Sequence, residues 1–229
     1  KGSVYHYDMC LDNWGAKTNN KLSYQELIFM IGEIDYDNEK PYIYLDEEYN
    51  KEFKNKFYSE YNIKSTNKII LLNTGCGPVY PHKKWTKDGF KKLIKNLLKD
   101  KNNVIILTGS SAEKLRNDDI NKSTNSDRVI DTTSIYSIKQ FCNLIDLSDI
   151  VITGDTVALH IAISLQKKIV SFFGPTPHQE INLFGLGTKL VREELDCLNC
   201  YDQFPCPYDG KCMSLISHKD VLKSIKELL

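Results

Sequence analysis

Val151-Ile-Thr-Gly-Asp155-Thr-Val-Ala-Leu-His160 is followed, after a short interval, by Ile169-Val-Ser-Phe-Phe-Gly174-Pro-Thr176. The first piece reads as a buried strand stopped by Gly154-Asp155-Thr156, with a helix opening at Thr156. The second reads as another buried strand, stopped by Phe173-Gly174-Pro175-Thr176. Continuous apolar runs of this kind belong to parallel strands covered on both faces. In an open parallel sheet, ligands bind beyond the carboxyl ends of the strands, and both polar clusters sit there. The unpaired N–H groups and the dipole at a helix start favour phosphate. The stretch therefore predicts a nucleotide or sugar-phosphate site on a doubly wound α/β domain.

The pattern extends in both directions. Strands are expected at Ile69–Asn73, Val104–Thr108, Arg128–Asp131, Asp149–Thr153, Lys168–Phe173 and Lys189–Val191. Between the first two lies Trp85 to Lys99. Its Phe90, Leu93, Ile94, Leu97 and Leu98 repeat at helical spacing behind an N-cap at Thr86. Further helices are expected from about Ala112, over Ile138–Leu147, over Thr156–Leu165 and over Ser217–Leu229. Strands alternating with helices give right-handed βαβ units and one parallel sheet.

Residues 1–62 differ. They hold a candidate helix at Ser23–Ile31, a short strand at Pro41–Leu45, a charged helix at Asp46–Tyr61 and a high density of tyrosine. They have too little apolar material for a core of their own. The expected division is residues 1–62 as an extension packed on the α/β domain, and residues 63–229 as that domain.

Thirty basic side chains balance thirty acidic ones. Such a neutral chain has no bulk attraction for nucleic acid or an anionic membrane. No apolar run approaches the roughly 20 residues of a membrane span, so membrane contact is peripheral at most. The chain opens Lys1-Gly2-Ser3, without an initiator Met or signal peptide, which leads us to expect a fragment or a processed terminus. Seven cysteines, an odd number, argue against a fully paired disulfide framework. The expected compartment is reducing and cytoplasmic.

Several residues at the expected strand ends have the chemistry of a phosphate or sugar site. Asn73-Thr-Gly75-Cys-Gly77 ends the first strand, and glycine lets backbone approach a ligand. An ordinary strand-to-helix turn has the same composition, and the GxGxxG dinucleotide fingerprint is absent. Lys83-Lys84-Trp85 precedes a helix on the same edge. Lys83 could neutralise a diphosphate with Trp85 packed beneath, or the segment is a solvated loop stapled by Trp85. Asp155 could accept hydrogen bonds from sugar hydroxyls or cap the helix. His160 lies one turn inside that helix as a site residue or a core histidine. Thr108-Gly109-Ser110 and Gly174-Pro175-Thr176 add to the same edge.

Cys197, Cys200, Cys206 and Cys212 form a C-x2-C-x5-C-x5-C cluster. Four thiolates at this spacing are candidate ligands for a structural, tetrahedral Zn²⁺. The alternative is a loop of free thiols.

Taken together and in this order, these pieces resemble the glycosyltransferase family 9 heptosyltransferases, which transfer heptose from ADP-heptose to lipopolysaccharide core. The matching pieces are Asn73–Gly77, Lys83–Thr86, Val104–Gly109, Asp149–His160, Ser171–Thr176 and the cysteine-rich tail from Cys197 to Met213. The resemblance covers about residues 40 to 229. The resemblance implies a GT-B fold of two Rossmann-like domains, with this chain supplying the C-terminal, nucleotide-sugar-binding half. It implies a bacterial, cytoplasmic enzyme acting with inversion and needing no metal for catalysis. Gly75 and Thr108 would line the donor site and Lys83 would contact the phosphates. Asp155 would hold the sugar, backbone N–H groups of Thr156 and Val157 would cradle the diphosphate, and His160 would lie nearby.

Two features depart from the family pattern. Val157 stands where the family usually has Gly. Residues 1–62 look like a connector and the remnant of the N-terminal acceptor domain, and the family's base is an acidic residue of that domain. The catalytic base is thus expected outside this chain. Other readings are a GT-B transferase using a different nucleotide sugar, or a non-catalytic nucleotide-sugar-binding module.

Overall fold

The computed structural model of the chain describes residues 20–77, 80–201 and 206–229. Residues 1–19, part of the expected extension, lie outside the described residues. Six strands form one parallel sheet: β1 Lys68–Asn73, β2 Asn103–Thr108, β3 Val129–Asp131, β4 Ile150–Gly154, β5 Lys168–Phe172 and β6 Gly187–Leu190. Their spatial order is β3-β2-β1-β4-β5-β6. Every pairing is parallel, with Ile70 opposite Ile105 on one side and Ile150 on the other. Ile69 to Leu72 and Ile150 to Ile152 have no exposed surface. This burial on both faces explains why these strands read as unbroken apolar runs.

The helices are α1 Tyr24–Ile31, α2 Glu47–Glu60, α3 Lys87–Leu97, α4 Lys114–Lys122, α5 Ile138–Asp146, α6 Val157–Ser164, α7 Lys211–Ser214 and α8 His218–Leu228. They divide between two cores. On one face, Ile70, Leu72 and Val170 meet Phe90, Leu93 and Ile94 of α3 and Val221 and Ile225 of α8. On the other, Ile69, Leu71 and Val151 meet Leu144 and Ile145 of α5, Leu159 and Ala162 of α6, and Phe57 of α2. Each large side chain so buried contributes about 1.5–3 kcal/mol.

The start signal read at Thr86 is a cap in use, whereas Thr156 makes no side-chain capping bond. The side chain of Thr86 accepts from Gly89 N, and Ser23, Ser110, Ser137 and Ser217 each complete a capping box. One expected element is missing. Pro41–Leu45 is extended but forms no strand. Its alternation is real: Ile43 and Leu45 pack on the core, while Tyr42 and Tyr44 are about three-quarters exposed. The segment crosses the α5–α6 side of the sheet and pairs with no strand, so the two-residue periodicity buries one side without building a ladder.

Candidate functional site

β1 and β4 are neighbours at the point where the strand order reverses, which opens a crevice at their carboxyl ends. Asn73 closes β1 and reaches across this point. Its Nδ2 donates to Thr153 Oγ1 and Thr156 Oγ1, each at 3.1 Å, and to Gly75 O at 3.2 Å. The Thr156 hydroxyl is engaged here and also lies 3.0 Å from Thr153 Oγ1. Thr156 stands at the N-cap of α6 but makes no side-chain capping bond. The first bonds within α6 run from Leu159 N and His160 N to Thr156 O. The N–H groups of Val157 and Ala158 precede them and are available to an anion at the positive end of the helix.

A cavity of about 530 Å³ opens above this point. Gly75, Lys83, Thr108, Asp155, Thr156 and Val157 all line it. His160 does not. Three residues, about 4.5 Å, further along α6, it is half-exposed and borders a small separate hollow with Tyr24, Gln25 and Pro41. Its link to the cleft is indirect, through an Nε2 that lies 3.9 Å from Asp155 Oδ1.

The short 3-10 turn Pro81–Lys83 delivers Lys83. Its Nζ is 2.8 Å from Asp155 Oδ2, with both side chains more than four-fifths buried. Gly154 lets this happen: a Cβ there would stand 3.3 Å from Lys83 O, so the turn seats against bare backbone. Lys84 points instead to Glu113, with Nζ 3.1 Å from Oε1. Burial disfavours the Glu113 carboxylate, but hydrogen bonds from Ser110 and the Lys84 ammonium outweigh it, and its pKa falls below the usual 4.5. Gly75 is required by this carboxylate, because a Cβ at Gly75 would stand 2.2 Å from Glu113 Cγ.

The wall beyond β3 is apolar and comes from Tyr136, Ile138 and Phe141, with Val157 facing from α6. Burial, then the nearby Tyr61 and Glu60, hold the Tyr136 phenol protonated. Sequence reading did not single out this wall or Glu113. Both left signals. Glu113 is the third helical residue of a Ser-x-x-Glu capping box at Ser110. Thr132-Thr133-Ser134 is the same kind of polar cluster after a strand that marked the other ends.

Trp85 takes its structural role. It is 1% exposed, its Nε1 donates to Ile216 O at 2.9 Å, and its ring stacks on Phe172. The expected zinc site is not formed: among the described residues, no group of three or more His, Cys, Asp or Glu side chains could hold a metal ion. Cys197, Cys200, Cys206 and Cys212 are free thiols. Cys212 sits on α7 and turns into the α3–α8 core against Gly174. Cys206 Sγ instead accepts from Gly210 N within a turn, at 3.4 Å.

Comparison with known proteins gives the family. The model of glycosyltransferase family 9 (heptosyltransferase) matches residues 17–208. A lipooligosaccharide heptosyltransferase 2 of Campylobacter jejuni is 31% identical over 180 residues, 77% of this chain and 56% of that protein. The structure of E. coli ADP-heptose LPS heptosyltransferase II is similar with a TM-score of 0.69 at 18% identity, over 86% of this chain and 56% of that one. A glycosyl transferase family 9 protein from Veillonella parvula gives 0.71 at 18% identity, over 89% and 57%. The chain thus spans a little over half the length of the curated relatives it matches.

Proposed function

The chain belongs to glycosyltransferase family 9, and on that premise we propose that it supplies the donor half of a heptosyltransferase. The donor is a nucleoside diphosphate sugar, ADP-heptose first among them, and the acceptor is a lipopolysaccharide-type glycan. The observation that carries this reading is the cleft at the β1–β4 reversal. It joins a lysine, a carboxylate and the start of α6, whose first backbone bonds come from Leu159 and His160, to an apolar wall.

Departure of the sugar leaves negative charge on the distal phosphate. The Lys83 ammonium and the N–H groups of Val157 and Ala158 meet that charge with fixed positive ends, which is how such a leaving group is stabilised. Asp155 holds Lys83 in place and has oxygen acceptors for sugar hydroxyls. Gly75 and Thr108 shape the floor, and His160 acts on Asp155 from behind. The apolar wall takes the base by stacking and burial. No step uses a metal. We assign the acceptor-activating base to an acidic residue of a partner N-terminal domain, with residues 1–62 as connector and remnant and residues 63–229 as the donor domain. Among the described residues no helix is long and apolar enough to cross a membrane. Our reading is of a bacterial, cytoplasmic enzyme with peripheral membrane contact at most.

A thermal-shift panel of ADP, UDP and GDP and their sugars tests the reading. A ligand at 100 times its Kd stabilises the native state by about 2.7 kcal/mol. ADP and ADP-heptose should raise the melting temperature, and the shift should be lost in Lys83→Ala. No shift with any nucleotide overturns the donor-site reading. A shift confined to UDP or GDP selects a different nucleotide sugar.

A further inference from the structure

We propose that Asn117 is a positioning residue of the cleft: its buried amide clamps three strand-end loops into one floor without touching the ligand. This role rests on reading the cleft as a nucleotide site. Asn117 lies on α4, is 0% exposed, and is not among the residues lining the cleft. Its Oδ1 accepts from Thr74 Oγ1. Its Nδ2 donates to Thr108 O at 3.3 Å and to Thr133 Oγ1 at 2.7 Å. Each partner borders the cleft. Thr108 lines it, Thr74 precedes the lining Gly75, and Thr133 sits between the lining Thr132 and Ser134.

The chemistry of the position fixes the side chain. Thr108 O is a carbonyl, so the amide nitrogen must face it. The Thr133 hydroxyl donates onward to Asp131 Oδ1 and so must accept from Asn117. Asp131 is tied in turn to Lys114, the first residue of α4, at 3.0 Å. One acceptor and two donors at this reach are the inventory of an amide. Asp has no donor for Thr108 O, and Leu takes from the buried Thr74 hydroxyl its acceptor and from Thr108 O and the Thr133 hydroxyl one bond each, which costs more than never having made the bonds.

The clamp also bears on strain. Ser134 lines the cleft at φ +60°, in the left-handed region. A non-glycine residue persists there only where its surroundings over-determine it. Ser134 N donates to Gly109 O at 2.9 Å, and its neighbour Thr133 is held by Asn117. A floor made of three loops keeps its spacing only if something ties them together, and a site loosened by a fraction of an ångström loses affinity.

The test compares Asn117→Leu with Asn103→Leu. Asn103 is also buried and donates to Leu97 O at 2.9 Å, but it sits at the opposite end of β2. Calorimetric titration with ADP, well below both melting transitions, should show binding weakened on the order of tenfold by Asn117→Leu and unchanged by Asn103→Leu. Both variants should melt earlier, so stability alone does not separate them. Hydrogen exchange gives a readout independent of ligand. The amides of Thr74, Thr133 and Ser134 should exchange faster in Asn117→Leu, with α8 unaffected. If Asn117→Leu does not fold, Thr133→Val removes one arm of the clamp and should show the same two effects in smaller measure. Wild-type ADP affinity in a folded Asn117→Leu, or unchanged exchange at the three amides, overturns the proposal. Failure of the wild type to bind ADP overturns the donor-site reading instead, and the exchange measurement still decides whether the clamp exists.

Discussion

Lys83 Nζ lies 2.8 Å from Asp155 Oδ2, joining the turn after β1 to the end of β4 across the point where the sheet reverses. The pair places a cation at the mouth of α6 and turns its carboxylate toward the cleft. An incoming diphosphate adds acceptors to a lysine that has three donors, so the contact to Asp155 need not break. Lys83→Ala should weaken ADP binding by about 1.5–3 kcal/mol, roughly 10- to 150-fold. Calorimetry on both proteins measures this, and equal affinities remove Lys83 from the site.

Gly75→Ala should act through Glu113. The new methyl would stand 2.2 Å from Glu113 Cγ and Cδ, so the carboxylate has to leave Ser110 and Lys84. Overpacking of this kind costs about 1–3 kcal/mol. Urea unfolding should show the midpoint falling with an unchanged slope. Wild-type stability would mean that Glu113 has room to move.

Glu113 also gives the acid limb of stability a sign. Its folded pKa is lower than the ordinary 4.5, so folding favours the ionised form. That contribution is complete above the ordinary value and is lost as pH falls through the folded one. Glu113→Gln should therefore be less stable than wild type at about pH 7, and the gap should narrow toward about pH 3. A gap independent of pH means that Glu113 matters by packing alone.

Most of the sheet was legible because its strands are buried on both faces, so strand and apolar run coincide in the sequence. Lys68–Asn73 and Ile150–Gly154 are found within a residue of the expected Ile69–Asn73 and Asp149–Thr153. The α3 helix followed from its apolar spacing and its N-cap at Thr86. Pro41–Leu45 misled because alternation reports which side is buried and not whether a neighbouring strand exists. At the candidate site, residues in strand-end loops carried their own chemical signature, and Gly75, Lys83, Thr108, Asp155, Thr156 and Val157 do meet in one cleft. Tyr136 and Phe141 went unread because an aromatic side chain looks the same in sequence whether it fills a core or walls a cavity. The cysteines misled for a related reason: spacing along the chain does not say which way Cys212 points.

The direction of Cys212 makes a chemical prediction. Burial, then the thiols of Cys200, Cys197 and Cys206, push its pKa up to about 11. Thiolate is the nucleophile, and at about pH 8 such a group is ionised in roughly one molecule per thousand. It is also only 7% exposed, whereas Cys197, Cys200 and Cys206 are half-buried. Iodoacetamide followed by peptide mass spectrometry should label those three first and Cys212 late. Gly174→Ala should reverse this, because its methyl would stand 2.6 Å from Cys212 Sγ and drive the sulfur from its pocket. Treatment with EDTA beforehand should leave the order unchanged, since core packing and not a shared metal shelters Cys212. If EDTA accelerates labelling of all four thiols together, the sulfurs share an ion and the packing explanation fails.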